Sequence, residues 1–186
     1  MNIKFSVYIA TSLDGFIARS DGRLDWLPGA ENSEANFTGE DYGMGKFMSS
    51  VDAILMGKNT YDIVKSFDGT WPYGDIPVFV LSNSLKESDI PYKHRDKVHI
   101  VSGEPFEISE KLKKDGFKHI YIDGGKTIQQ YLNMGLIKQI IITRVPVLIG
   151  SGIPLFGHLN SDIKLKLMNA VTFDNGFTQS TYEVIK

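Results

Sequence analysis

The sequence contains no cysteine. Disulfides, thiol nucleophiles and zinc–thiolate centres are therefore excluded. It also lacks a basic surplus: 20 Lys and Arg stand against 22 Asp and Glu, a formal net charge of −2. A duplex-binding domain carries a clustered cationic excess, so nucleic acid is not an expected partner. No apolar run approaches the length of a membrane span, and no membrane association is expected. Residues Met1 to Ala10 alternate and then stay apolar, without the long apolar core and small-residue cleavage site of a signal peptide. They read as a strand, and the cytoplasm is the expected location. No internal repeat, low-complexity tract or long polar linker interrupts the chain. With 186 residues, 42% hydrophobic and 23% charged, the simplest expectation is one globular domain over 1–186.

Residues 3–10 predict a buried strand. Residues 11–39, rich in Gly, Ser, Asn and Asp, predict a long loop, and loops of that length are usually functional. A short helix is expected over 40–49, a strand over 51–57 and a helix over 58–66. Further strands are expected at 78–81, 98–101, 119–122 and 139–145, with helices at 107–114 and 127–134. Gly135 suits a helix C-cap. Residues 164–173 and 178–185 predict two strands joined by Asp174-Asn175-Gly176, whose Asn-Gly pair suits a tight hairpin. Strands alternate with helices, then follow one another. That order predicts an α/β fold with a mixed, mostly parallel sheet and an antiparallel edge. Ligands on such sheets bind beyond the carboxyl ends of the parallel strands. The positions to inspect follow Ala10, Met56, Leu81 and Ile122.

At the fourth of these, Asp123-Gly124-Gly125-Lys126-Thr127 joins a strand to a helix. Glycine permits positive φ and close approach of a ligand, and the helix start offers free amides to an anion. The alternative is a tight turn with no ligand. A P-loop reading fails, because Ile120 stands where the motif needs a glycine. Gly150, Gly152 and Gly157 do not make a dinucleotide fingerprint: the spacing is too long, and Pro154 falls where the helix must start. Gly57-Lys58-Asn59-Thr60 repeats the logic with a cation and a hydroxyl; its alternative is plain N-capping with Lys58 in water. Leu81-Ser82-Asn83-Ser84 is a third such end, otherwise an ordinary turn. Three ends on one sheet suit a ligand with separated anionic groups. The loop Thr11 to Ala18 carries Leu13, Phe16 and Ile17 beside Gly15. It reads either as a cover for a flat ring or as a buried hairpin.

Taken in order, Thr11-Ser-Leu-Asp-Gly-Phe-Ile-Ala18, Ile54-Leu-Met-Gly-Lys-Asn-Thr-Tyr61, Val80-Leu-Ser82, Ile122-Asp-Gly-Gly125 and Pro146-Val-Leu-Ile-Gly-Ser-Gly-Ile-Pro-Leu-Phe156 resemble the dihydrofolate reductase-like superfamily. The closer likeness is to its branch related to the C-terminal reductase domain of the bifunctional riboflavin-biosynthesis deaminase/reductase. The resemblance runs over nearly the whole chain. It implies a central sheet of about eight strands flanked by helices, NADPH as cofactor, and a homodimer, for which 146–156 is a candidate contact. Carried over by motif, Gly57, Lys58, Asn59 and Thr60 would serve the adenosine side and diphosphate. Leu81, Ser82 and Asn83 would approach the 2′-phosphate, with Lys58 supplying charge. Asp123, Gly124, Gly125, Lys126 and Thr127 would bind the diphosphate. Ala10, Leu13 and Ile17 would flank the nicotinamide. No metal is implied.

The expected activity is hydride transfer from NADPH to a C=N or C=O of a pterin or aminopyrimidine-type heterocycle, similar to 5-amino-6-(5-phosphoribosylamino)uracil reductase. Asp41 is the expected proton donor or substrate anchor, with an exposed helix-end acid as its alternative. Asp14 is the second candidate donor. Trp26, Phe47 and Trp71 are candidate stacking partners, with burial in the core the alternative for Phe47. The deaminase half has no counterpart, and without cysteine its zinc chemistry could not operate. Two other functions compete: an NADP(H)-binding protein without turnover, and a phosphotransferase using Gly125-Lys126-Thr127, which the spacing disfavours.

Overall fold

The computed structural model describes residues 3–30, 39–66 and 71–185. Its first strand, β1 (Lys4–Ser12), alternates between two faces, and both are covered. Phe5 and Val7 join Leu55, Ile120, Ile122 and Ile140 in one core. Tyr8 joins Ile54, Met56, Val80 and Tyr121 in another on the opposite face. The strands that follow are β2 (Phe16–Ala18), β3 (Ala53–Gly57), β4 (Val78–Leu81), β5 (Val98–Val101), β6 (His119–Asp123), β7 (Ile137–Val145), β8 (Ile153–Pro154), β9 (Leu165–Thr172) and β10 (Thr178–Val184). The helices are α1 (Met44–Met48), α2 (Lys58–Ser66), α3 (Pro105–Lys114) and α4 (Gly125–Asn133).

Eight strands form one sheet in the order β5-β4-β3-β6-β1-β7-β10-β9. Neighbours from β5 through β7 run parallel. Strand β10 runs antiparallel to β7, and β9 antiparallel to β10. This is the mixed, mostly parallel sheet with an antiparallel C-terminal hairpin that the element order predicts. Crossovers leading toward β5 and crossovers leading toward β7 must lie on opposite faces if both are right-handed. The cores agree. Phe47 of α1 with Tyr61 and Val64 of α2 enters one. Ile108 and Leu112 of α3 with Ile128, Tyr131 and Leu132 of α4 enters the other.

Two local expectations change. The loop over 11–39 contains β2, paired with β8 in a second small sheet, and β1 itself extends through Ser12. Strands of two or three residues carry no periodicity that could announce them. Helix α1 covers 44–48 rather than 40–49, because Gly43 at its start takes φ +87°. The C-terminal hairpin closes through Asp174-Asn175-Gly176, as the sequence predicts, with Gly176 at φ +83° and Phe173 N–H donating to the Phe177 carbonyl at 2.9 Å.

Candidate active site

Strands β3 and β6 lie side by side, with Met56 opposite Asp123. From β3 the chain turns toward β4, and from β6 it crosses β1 to reach β7. Departure in opposite directions opens a crevice at the carboxyl edge, where ligands of such sheets bind. Helices α2 and α4 both begin there.

The glycines at these helix starts have a reason within the chain. Gly124 takes φ +88°, and a Cβ there would collide with Thr60 Oγ1. A Cβ on Gly125 would lie 3.0 Å from Ile17 Cδ1 and 3.2 Å from the Pro154 carbonyl, and one on Gly57 3.2 Å from Thr127 Oγ1. Glycine thus lets the two helix starts and the β2–β8 pair close on one another. The same packing leaves donors without side-chain caps. Helix α4 has no side-chain cap, and neither α2 nor α4 has an acid in its first turn. The amides of Gly125, Lys126 and Thr127 precede the first intrahelical donor, Ile128 N–H, which reaches the Gly124 carbonyl at 2.9 Å, so an anion is their natural complement. Alongside, Gly57 and Leu81 are register partners, which sets Lys58 beside Ser82. The Lys58 ammonium pairs with Asp62 on the next turn of α2. Ser82 Oγ accepts the amides of Ser84 and Leu85 at 3.1 and 3.0 Å, fixing the turn, while Asn83 is exposed.

The carboxylates proposed as proton donors are held elsewhere. Asp41 Oδ1 accepts Gly43 N–H at 2.8 Å and Oδ2 accepts Gly45 N–H at 3.1 Å, so this exposed acid caps α1. Asp14 accepts the Ser12 hydroxyl at 2.6 Å, Gly150 N–H at 2.7 Å and Ile149 N–H at 3.3 Å. The Ser12 bond, followed by those amides, holds its carboxyl below the ordinary range, the wrong direction for an acid that must keep a proton. Trp26 is buried with Val145 and Phe177 at the far side of the edge. Phe47 is buried against Tyr8 and Tyr121, with ring centroids 5.0 and 5.3 Å away. At 6% exposure, neither ring has an open face for stacking. Leu13 is exposed, Ile17 packs onto the core beside Gly125, and Ala10 is half-buried near the end of β1.

The acid that the fold makes unusual is Asp123. Alternation along β6 puts His119, Tyr121 and Asp123 on the face that carries Tyr8. Burial pushes the Asp123 carboxyl up to about 6. The Gly124 N–H at 2.8 Å and the hydroxyls of Tyr121 and Tyr73 pull the other way without cancelling that effect. Burial likewise holds both tyrosines well above their ordinary range, so they remain neutral donors. Tyr121 OH donates to the Tyr8 carbonyl at 2.8 Å, and Tyr8 OH to the Tyr42 carbonyl at 2.7 Å. Gln179 Nε2 reaches Tyr8 OH, the Tyr42 carbonyl and Thr143 Oγ1. This network ties α1 and β10 to the strands that carry the acid. The sequence places Asp123 only among the residues that would bind the diphosphate. Its position as the last inward residue of a strand, just before two glycines, was the available signal. A groove of about 410 Å³ along β5, lined by residues including Phe79, Arg95, His99 and Lys111, includes none of these groups.

Residues 4–179 match the model of the RibD C-terminal domain. The chain is 35% identical over 176 residues to YwjB, an uncharacterized protein of Bacillus subtilis (strain 168), covering 93% of this chain and 94% of that one. Among solved structures, a Shewanella sp. PV-4 protein named for riboflavin biosynthesis aligns over 99% of this chain and 100% of its own, with 42% identity and a TM-score of 0.89. The Thermotoga maritima diaminohydroxyphosphoribosylaminopyrimidine deaminase/5-amino-6-(5-phosphoribosylamino)uracil reductase shares the fold at a TM-score of 0.70 with 15% identity. This chain covers 57% of it. The extent of these matches, over a sheet whose order and crevice are described above, shows that the chain belongs to the RibD C-terminal domain family.

Proposed function

We propose that this protein is an NADPH-dependent reductase of a small nitrogen heterocycle. The carrying observation is the pairing, at one crevice, of an uncapped helix start with a half-buried acid whose carboxyl is pushed up to about 6. The fit to the cofactor rests on the donor set. The Gly125, Lys126 and Thr127 amides would hold the diphosphate, and Ser82 with Lys58 would hold a ribose phosphate. Bound there, NADPH supplies a hydride to a C=N or C=O carbon.

The chain itself must orient the acceptor and hold a proton. Asp123 Oδ1 is engaged by Gly124 N–H, which leaves Oδ2 to carry the proton. A carboxyl poised near neutrality can deliver that proton to the acceptor nitrogen or oxygen as the hydride arrives. Tyr73 and Tyr121 flank this half-buried carboxyl.

The test is NADPH oxidation across aminopyrimidines, pterins and small ketones, together with calorimetry of NADPH binding to the folded protein. Binding with turnover is the expected result. Tight binding without turnover of any of them would favour the non-catalytic nucleotide binder, and no binding of NADPH at millimolar levels would end the reductase reading.

A further inference from the structure

Two phenols flank the Asp123 carboxyl, and they differ in where their protons go. Tyr121 lies two residues back along β6, on the same face of the sheet. Tyr73 comes from the segment before β4. Both rings are buried, Tyr121 at 4% and Tyr73 at 8% exposure. Each hydroxyl is a hydrogen-bond neighbour of the carboxyl. A phenol has one proton to give and lone pairs with which to accept. The Tyr121 hydroxyl is 2.8 Å from the Tyr8 carbonyl, a group that can only accept, so the single Tyr121 proton is committed there. Acting as a donor, Tyr121 would pull the carboxyl down as Tyr73 does. The Tyr8 carbonyl removes that option.

The backbone explains the commitment. Lys4 N–H donates to Lys118 on the β6 side of β1, and Leu13 N–H to Val147 just past β7. Backbone groups alternate along a strand, so Tyr8, like Lys4, turns its carbonyl toward β6. Pairing of β1 with β6 covers only Lys4, Phe5 and Ser6. Tyr8 lies past its end, where the Tyr121 hydroxyl supplies the donor. Moving that proton to Asp123 would leave a buried carbonyl without it. Tyr8 cannot lend one either: its hydroxyl donates to the Tyr42 carbonyl at 2.7 Å and accepts from Gln179 Nε2 at 3.0 Å. Glu40 and Asp41 act on that Tyr8 hydroxyl, and among the described residues no charged side chain acts on Asp123. Gly124 N–H donates to Oδ1. Among the described residues the Tyr73 hydroxyl engages only Asp123, so its proton is free for the carboxylate.

We propose that Tyr73 and Tyr121 are positioning residues with opposed roles: Tyr73 donates to the ionised Asp123, whereas Tyr121 accepts from the protonated acid and holds its proton until a substrate competes for it. This deepens the reductase reading and rests on it. A hydrogen bond to the neutral form of a carboxyl favours that form, and one to the charged form favours ionisation. Beside the protonated acid, Tyr121 offers a lone pair to the proton on Oδ2. Once that proton has left, the same lone pair faces an anionic oxygen, while Tyr73 turns its own proton toward it. The pair therefore opposes ionisation in the empty site and steadies the carboxylate that proton delivery leaves behind.

The test follows the Asp123 carboxyl carbon by NMR through a pH titration of the cofactor-free protein, the resonance being assigned by its loss in Asp123→Asn. Tyr121→Phe should lower the titration midpoint by about one pH unit, and Tyr73→Phe should raise it by about as much. The pH limb of kcat with NADPH should move in the same sense in each variant. A midpoint that rises or stays in Tyr121→Phe, or falls or stays in Tyr73→Phe, overturns the proposal. Folding is checked by circular dichroism. If Tyr121→Phe does not fold, the wild-type hydroxyl protons decide. That of Tyr73 should move downfield as Asp123 ionises, because its bond becomes charge-assisted, and that of Tyr121 should not. A downfield move of the Tyr121 proton overturns the proposal. Midpoints that move as expected without NADPH oxidation on any acceptor would end the reductase reading and leave the two tyrosine roles standing. Midpoints that move the wrong way in an active enzyme sink only those roles.

Discussion

On the β3–β6 side of the carboxyl edge, the site is made of backbone: glycines, helix starts and their amides. On the β1–β7–β10 side it is made of side chains joined across the chain, as when Tyr8, Tyr42, Thr143 and Gln179 share one hydrogen-bond network. The first kind of surface binds a charged, repetitive group and tolerates changes of side chain. The second depends on distant residues staying in register, and in the proposed reductase it is the side that would select the acceptor. A reductase that uses one cofactor but must choose its acceptor is well served by such a division.

Four changes probe this division, beginning with the largest effect. Asp123→Asn removes the proton and should lower kcat by about 10²- to 10⁴-fold while leaving NADPH affinity unchanged. In the parent protein kcat should fall as pH rises through about 6, since the protonated carboxyl is the active form. That limb should vanish in the variant, and an unaltered pH profile would remove Asp123 from the chemistry. The same change carries a stability signature. The folded carboxyl binds its proton more tightly than the unfolded one, so this stabilisation is present at low pH and lost as pH rises through about 6. Above that pH, Asp123→Asn should raise stability by about 1–3 kcal/mol, measured by denaturant titration.

Next is Gly124→Ala, which combines strain at φ +88° with a collision against Thr60. It should cost about 2–4 kcal/mol and weaken NADPH binding by displacing the α4 amides. Full stability would show that the two helix starts can separate freely. Lys58→Ala should reduce NADPH affinity by about ten- to hundred-fold and NADH affinity much less, if its ammonium leaves Asp62 for a ribose phosphate. Equal losses for both nucleotides would assign Lys58 to its ion pair alone. The smallest effect is expected from Asp14→Asn. It loosens the clasp on Ile149 and Gly150 and should cost about 1 kcal/mol of stability with little change in NADPH affinity. A large loss of NADPH binding would place that loop on the cofactor side.

Legibility from sequence followed the same division. Gly57, Gly124 and Gly125 mark strand-to-helix junctions by local chemistry, and the structure sets those junctions side by side. Asp41 is the exposed helix-end acid that the sequence offers as its alternative reading, and Asp14, the second expected donor, is likewise spent on loop amides. Nothing local distinguishes a capping acid from a proton-holding one, because the difference is burial. Trp26 illustrates the same point: it is an aromatic in a loop, and only packing shows that it is enclosed, whereas burial of Phe47 is already a reading the sequence offers. The β2–β8 pair escaped notice because its partners, Phe16 and Pro154, lie far apart in the chain and form too few residues to show a pattern.

The sequence alone determined the alternation of strands and helices, the order that makes the sheet mostly parallel, and the junctions where glycine opens a helix, since these depend on neighbours a few residues apart. Only the tertiary structure decided which acid is desolvated and which loop amides are already taken. Desolvation of Asp123 and the contacts of Tyr73, Tyr121 and Gln179 come from groups that meet only when the sheet is assembled.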